Sequence, residues 1–153
     1  MSLDRVDLLL LNVLQTEGRI PNNELAQRVG LSPTATSDRL KRLTRERYIT
    51  GFGARLAPEK LGLGLLVFVE VLLDKTTPDV FDQFAKAARN APEVLECYMV
   101  AGGFDYLIKS RVANIEDYRA FLGSVLLSFP GVRETRTYAV MDEVKRDGPL
   151  PLI

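Results

Sequence analysis

Apolar positions in the first fifty residues recur at intervals of three and four. Over residues 3–17 the stripe is Val6, Leu9, Leu10, Val13 and Leu14, which predicts an amphipathic helix. Asp4 is placed to cap it, Asp7 sits at its third position near the positive end of the dipole, and Gly18 is a natural stop. Leu25, Ala26 and Val29 mark a second, shorter helix over 22–29. Its entry is poorly capped, because Pro21 stands where Ser or Thr would be expected, and Asn22 is the substitute. A third helix starts sharply, with Ser32 as N-cap and Pro33 at the first helical position. Thr36, Leu40 and Leu43 face inward. Thr34, Ala35, Ser37, Asp38, Lys41, Arg42 and Arg45 are left outward or lateral.

After residue 47 the period changes. Residues 48–56 read as a short strand or an extended linker, and 57–64 (APEKLGLG) as a hinge. Residues 65–74 (LLVFVEVLLD) read as a strand. Thr77 and Pro78 open a helix with the stripe Phe81, Phe84, Ala85 and Ala88, which ends at Asn90, Ala91 and Pro92. Strands follow over 94–101 and 104–112, joined through Gly102 and Gly103. Asn114 with Asp117 starts a helix carrying Tyr118, Leu122, Val125 and Phe129, Pro130 and Gly131 stop it, and 132–144 is a final strand. The order βαββαβ is the ferredoxin-like plan. The expected class is therefore α+β: a helix-turn-helix domain at 1–50, a strand or hinge linker at 51–64, a ferredoxin-like domain at 65–145 and a tail at 146–153. Four strands with two helices leave one sheet face uncovered. That face carries Phe68 or its neighbours, Tyr98 or Met99, and Tyr138 or Ala139, which suggests self-association.

Two helices joined at Gly30 by a short turn form a helix-turn-helix, whose second helix enters the major groove of DNA. Charge supports this. The whole chain is neutral, with 20 Lys/Arg and 20 Asp/Glu, yet residues 37–47 hold Arg39, Lys41, Arg42, Arg45 and Arg47 against Asp38 and Glu46. Short polar side chains at the start of that helix suit base edges, and long cations further along suit phosphates. The candidate contact set is Ser32, Thr34, Ala35, Ser37, Asp38, Arg39, Lys41 and Arg42. The bland alternative is a solvated helix face with ordinary i,i+4 charge pairs.

Composition removes several function classes. Cys97 is the one cysteine and there is no histidine, so zinc sites of the usual kinds and Ser-His-Asp or Cys-His nucleophiles are excluded. Nothing advertises carboxylate or lysine chemistry, and the protein is not expected to be an enzyme. The longest apolar run, 61–69, is too short to span a membrane, and no signal-peptide layout opens the chain, so a cytoplasmic location is the default.

The sequence resembles the Lrp/AsnC (leucine-responsive, feast/famine) family of prokaryotic transcription regulators, and within it the leucine-responsive branch. The residues that carry the resemblance are LDRVDLLLLNVLQTEGRIPNNELAQRVGLSP at 3–33, RLKRL at 39–43, YITGF at 48–52, LLVFVEVLLD at 65–74, ECYMVAGGFDYLIKSRV at 96–112 and PGVRETRTYAVMDEVK at 130–145. The resemblance implies a regulator that binds double-stranded DNA and responds to a small amino-acid effector, leucine or another apolar amino acid, with no other cofactor. It implies homodimers that assemble further, as a tetramer of dimers, in the cytoplasm and on the nucleoid. It places the effector between C-terminal domains, at Met99, Val100, Ala101, Gly102, Gly103 and Asp105, with Tyr138 and Val140 approaching a neighbouring subunit's loop. Read as chemistry, the Gly-Gly turn offers backbone N–H groups to a carboxylate, Asp105 accepts from an α-ammonium, and Met99 and Val140 line an apolar pocket. The plain alternative for the loop is a hairpin turn with Asp105 as a turn acceptor and Met99 in the core. An alternative for the whole chain is an amino-acid-binding and oligomerisation protein without specific DNA binding.

Overall fold

The computed structural model describes residues 2–153. Internal contacts gather them into two compact units. One runs up to Arg55 and also takes in Val144–Ile153; the other is Leu56–Glu143.

The first unit is built from α1 (Arg5–Leu14), α2 (Asn22–Val29) and α3 (Pro33–Arg45). Leu10, Leu25, Val29 and Leu43 form its buried core, and Val6, Leu9, Val13, Leu14, Leu31, Leu40 and Ile49 pack around them. Each such buried leucine contributes roughly 1.5–3 kcal/mol. α1 begins at a reciprocal capping box, in which Asp4 Oδ1 accepts from the Asp7 N–H at 2.8 Å and Asp7 Oδ2 accepts from the Asp4 N–H at 3.1 Å. It stops earlier than the expected residue 17. The Thr16 N–H donates to the Val13 carbonyl, three residues back instead of four, and the helical ladder gives way there to a turn. Gln15 then uses its side-chain amide elsewhere: Nε2 donates to the Leu150 carbonyl and Oε1 accepts from the Leu150 N–H, each at 2.8 Å. The last residues, expected from sequence as a tail, therefore return to the N-terminal unit. Beyond α3, Arg47 takes a left-handed φ of 67° and lets Tyr48 and Ile49 donate to the Leu43 carbonyl. Residues 50–57 are extended without sheet pairing, a linker rather than a strand.

The second unit opens with a 3-10 turn at Pro58–Leu61. It continues as β1 (Leu65–Leu73), α4 (Pro78–Asn90), β2 (Val94–Met99), β3 (Tyr106–Val112), α5 (Ile115–Ser124) and β4 (Val132–Ala139). The four strands form one antiparallel sheet in the order β2-β3-β1-β4, the ferredoxin-like arrangement. β1 and β3 are central, and alternate residues on each are buried: Val67, Val69, Val71 and Leu73, then Tyr106, Ile108, Ser110 and Val112. Against them pack Phe84 and Ala88 of α4, Tyr118 and Phe121 of α5, and Leu126 and Phe129 beyond it. The Phe84 ring stacks on Tyr106 at 4.3 Å and meets Phe129 edge-on at 5.6 Å. α5 ends at Ser124, earlier than expected, and gives way to a 3-10 turn at Leu126–Ser128. Tyr118 and Phe129 of the expected stripe are buried and Leu122 and Val125 pack half-buried against the core, while Phe121 and Leu126 join it as well.

The opposite sheet face is uncovered in the single chain. Register places Tyr138, Arg136 and Glu134 beside Phe68, Glu70 and Leu72, and Lys109 and Leu107 on the other flank. Polar groups pair along the face: Lys109 with Glu96 at 2.8 Å and Arg111 with Glu143 at 2.5 Å as ion pairs, and the Tyr138 hydroxyl donating to Glu70 at 3.1 Å. Lys109 and the Tyr98 hydroxyl together hold the Glu96 carboxyl below its ordinary range. Among the described residues no helix is long and apolar enough to cross a membrane.

Candidate DNA-contact helix and effector loop

The turn between α2 and α3 is made by local chemistry. Gly30 closes α2 at φ 70°, where a side chain would be strained, and the Leu31 N–H donates to the Ala26 carbonyl. Ser32 Oγ then accepts from the Ala35 N–H at 3.2 Å, and Pro33 occupies a position whose N–H has no helical partner to lose. Pro21 gives α2 no side-chain cap. Asn22 instead donates through Nδ2 to the Pro33 carbonyl at 2.9 Å, tying the start of α2 to the start of α3. Ser32, Thr34, Asp38, Lys41 and Arg45 are exposed, and Ala35 and Ser37 are half-buried beside them. Thr36 and Leu43 are buried. Lys41 lies 4.0 Å from Asp38, an exposed pair worth little.

Arg39 and Arg42 depart from the expectation that they extend toward phosphate. Asp7 is fully buried on α1, and the two arginines close on it. Arg39 Nη1 donates to Asp7 Oδ1 at 2.8 Å and to Asp4 Oδ2 at 2.6 Å, while Arg42 Nη2 lies 2.5 Å from Asp7 Oδ2. Their side chains retain 29% and 24% exposure, against 77% for Lys41 and 74% for Arg45. Burial works to raise the Asp7 carboxyl, but donation from the Asp4 N–H, Arg39 and Arg42 outweighs it and leaves Asp7 below the usual carboxylate range. The Arg39 hydrogen bond likewise lowers Asp4. Sequence reading placed Asp4 and Asp7 only as a helix start. The signal it missed is an acidic residue on an otherwise apolar stripe facing a helix with cations three apart.

In the second unit, residues 100–105 form the loop between β2 and β3. The Val100 N–H donates to the Asp105 carbonyl, and the Asp105 N–H to the Val71 carbonyl. Asp105 Oδ2 accepts from the Leu73 N–H at 2.8 Å, so one carboxylate oxygen is already engaged in fastening the loop to β1. Met99, Ala101, Gly102 and Gly103 are exposed and Val100 is half-buried, so Met99 is outside the core. Neither glycine has a positive φ, and a Cβ on either would meet nothing within 4 Å. The chain's own backbone therefore does not require glycine at 102 or 103.

Tyr138 and Val140 are not brought to that loop within one chain. Tyr138 sits opposite Phe68 and the Val140 N–H donates to the Leu66 carbonyl, whereas the loop adjoins the Val71 end of the same strand. Along β1, Phe68 lies three residues and Leu66 five residues from Val71, roughly 10 and 16 Å. What lies next to the loop is a small cavity of about 70 Å³, lined by Glu70, Leu72, Gly103, Phe104, Glu134, Thr135 and Arg136. That is well below the roughly 300 Å³ at which ligand pockets usually begin. Among the described residues no cluster of His, Cys, Asp or Glu is arranged to hold a metal.

Residues 66–150 match the profile of the Lrp/AsnC ligand binding domain, and residues 3–50 that of a winged helix-turn-helix DNA-binding domain. The leucine-responsive regulatory proteins of Klebsiella pneumoniae and Escherichia coli K12 are each 51% identical over 148 residues, covering 97% of this chain and 90% of theirs. A transcriptional regulator of Neisseria meningitidis, solved in complex with L-methionine, superposes with a TM-score of 0.93 at 37% identity, covering 99% of this chain and 97% of that one. An AsnC family transcriptional regulator from Agrobacterium tumefaciens gives 0.92 at 29% identity over 98% and 97%. Likeness at this level runs through both units and leaves no segment of α1 to β4 outside it: the chain belongs to the Lrp/AsnC family of transcription regulators.

Proposed function

We propose that a dimer of this protein lays two copies of α3 in successive major grooves, about 34–36 Å apart. Ser32, Thr34, Ala35, Ser37 and Asp38 supply the close contacts and Lys41 the phosphate attraction. The observation that carries this reading is the exposed strip at the start of α3, set on a glycine turn and a Ser32 cap while the rear of the helix is buried. Further assembly, as a tetramer of dimers, adds avidity to a contact that one neutral dimer makes weakly, and allows the duplex to bend. The protein works in the cytoplasm on nucleoid DNA.

The effector is an apolar amino acid, leucine or one of similar size, held by Met99, Val100, Ala101, Gly102, Gly103 and Asp105. Tyr138 and Val140 come from a neighbouring subunit. The meningococcal neighbour's complex with L-methionine supports an amino acid, and the strand length between the loop and both residues, roughly 10 Å for Tyr138 and 16 Å for Val140, supports a site completed by a second chain. Effector binding shifts the balance between two packings of dimers, and so the spacing of the paired α3 helices.

The test is a gel-shift titration on genomic DNA fragments at several salt concentrations, with and without a panel of amino acids, alongside mass measurement in solution. Salt-sensitive, fragment-selective binding that an apolar amino acid alters is expected. Amino-acid binding without DNA binding would leave only the sensing domain standing.

A further inference from the structure

We infer that Asp4, Asp7, Arg39 and Arg42 form a charge-balanced clamp that aims α3 at DNA, and that Arg42 is a positioning residue rather than a phosphate contact. The inference rests on the DNA-binding reading and refines which residues carry it.

The four groups sum to zero charge, and their contacts are mutual. Asp7 sits 1% exposed between the guanidinium groups, one oxygen toward Arg39 and the other toward Arg42 and the Asp4 N–H. Asp4 accepts from the Asp7 N–H with one oxygen and from Arg39 with the other. The capping box that starts α1 is thereby fused to two successive turns of α3. The arginines lie three residues apart, on the flank between the buried row of Thr36 and Leu43 and the exposed row of Lys41 and Arg45. Rotation of α3 about its axis would pull both nitrogens off a carboxylate that is itself buried. Such a rotation is also what would move Thr34, Ser37 and Asp38 off the base edges, since side chains on one helix turn together. A buried carboxylate holding two points on one helix thus adds a directional restraint on its angle to the apolar packing of Leu40 and Leu43.

The consequence is electrostatic as well as geometric. A cation already neutralised by a buried carboxylate releases no counterion when DNA arrives, so it adds nothing to the salt dependence of binding. Lys41, Arg45 and Arg47 remain to do so, all exposed.

The experiment uses the full-length protein and an operator fragment selected by gel shift, with log Kd measured against log salt concentration. The variants are Arg42→Gln, Arg42→Lys and Lys41→Gln, and far-UV circular dichroism confirms folding at the assay temperature. Lys41→Gln should make the slope shallower by about 0.9 per subunit. Arg42→Gln should leave the slope unchanged and weaken operator binding by roughly tenfold, the size of a single mismatched base pair. Arg42→Lys keeps a cation on Asp7 and should recover most of that loss at the same slope. If Arg42→Gln lowers the slope as Lys41→Gln does, Arg42 is a phosphate contact and the clamp role is overturned. If affinity and slope both stay at wild-type values in a folded variant, the contact is scaffold only and the role is equally overturned. Should Arg42→Gln not fold, Arg39→Gln, which leaves Arg42 on Asp7, is read by the same criteria. Wild-type protein that binds no duplex in a salt-dependent way would refute the DNA-binding reading, and this one with it.

Discussion

Asp7→Asn should be among the most destabilising conservative substitutions in the N-terminal unit. Both carboxylate oxygens of Asp7 face donors: Oδ1 faces Arg39 Nη1, and Oδ2 faces Arg42 Nη2 and the Asp4 N–H. An asparagine amide in the same place must aim its NH2 group at one of those donors, whichever way it is turned. The exchange therefore loses a charge and adds a donor-donor conflict at a buried side chain. Removing one partner of a buried ion pair costs about 3–5 kcal/mol. At roughly 0.05–0.15 kcal/mol per residue, the first fifty-five residues hold about 3–8 kcal/mol in all, so most of it would go. The assay is urea denaturation of the full chain followed by far-UV circular dichroism, with the transition of the N-terminal unit read separately. The pH dependence gives a second check. The folded-state pKa of Asp7 is depressed, so its contribution is fully present above its unfolded value near pH 4 and is lost as pH falls through the lower folded value. The gap between wild type and Asp7→Asn should be constant from pH 7 to about pH 5 and close below about pH 4. A loss under about 1 kcal/mol at pH 7, the worth of an exposed pair, would show that the arginines do not depend on Asp7. So would a gap that persists undiminished in acid.

Three other substitutions separate backbone demand from function. Gly131 has a φ of 77° and its Cβ would stand 2.6 Å from Val80 Cγ1, so Gly131→Ala should cost the C-terminal unit about 2–4 kcal/mol in a urea melt. Pairing it with Val80→Ala should recover the steric part alone. Gly103→Ala meets neither a positive φ nor a neighbour and should leave the melting curve within about 0.5 kcal/mol of wild type while weakening amino-acid binding by calorimetry. Arg47→Gly relieves a left-handed residue at the end of α3 and should raise the N-terminal unit's stability by about 1 kcal/mol, measured by thermal denaturation.

What was legible in the sequence lies within a few residues of itself. The caps at Asp4, Ser32 and Asn114 are interactions across three positions, and each is made as the spacing implies. The alternating strands and the βαββαβ order follow from side-chain period. Pairings between distant segments were not legible. Arg39 meets Asp7 across 32 positions, and Gln15 meets Leu150 across 135. Nothing in local composition ties such residues together. The α5 stripe shows the same limit in another form. Tyr118, Leu122, Val125 and Phe129 reach the core as a helical stripe implies, but the 3-10 turn after Ser124 also carries Leu126 inward, which the stripe does not foretell. For the effector loop, sequence marked the stretch and missed that Asp105 is bonded to Leu73, because a strand's free N–H has no signature of its own.

The charge count over residues 37–47 carries the consequence furthest. Five cations over residues 37–47 read as five charges presented to phosphate, yet the fold returns two of them to carboxylates at the start of α1. For a dimer that difference is four charges, which at about 0.9 per phosphate contact is a change of nearly four in the salt exponent. Over a fourfold rise in salt an exponent of that size changes affinity by more than a hundredfold, so the estimate of how tightly such a helix holds DNA turns on contacts the helix makes with its own domain. A protein of zero net charge that also neutralises part of its contact helix has little non-specific hold on DNA. Under the proposed binding mode, discrimination would then rest on the angle at which α3 is held and on the number of subunits engaged at once, the two properties that the proposed effector-linked assembly would change.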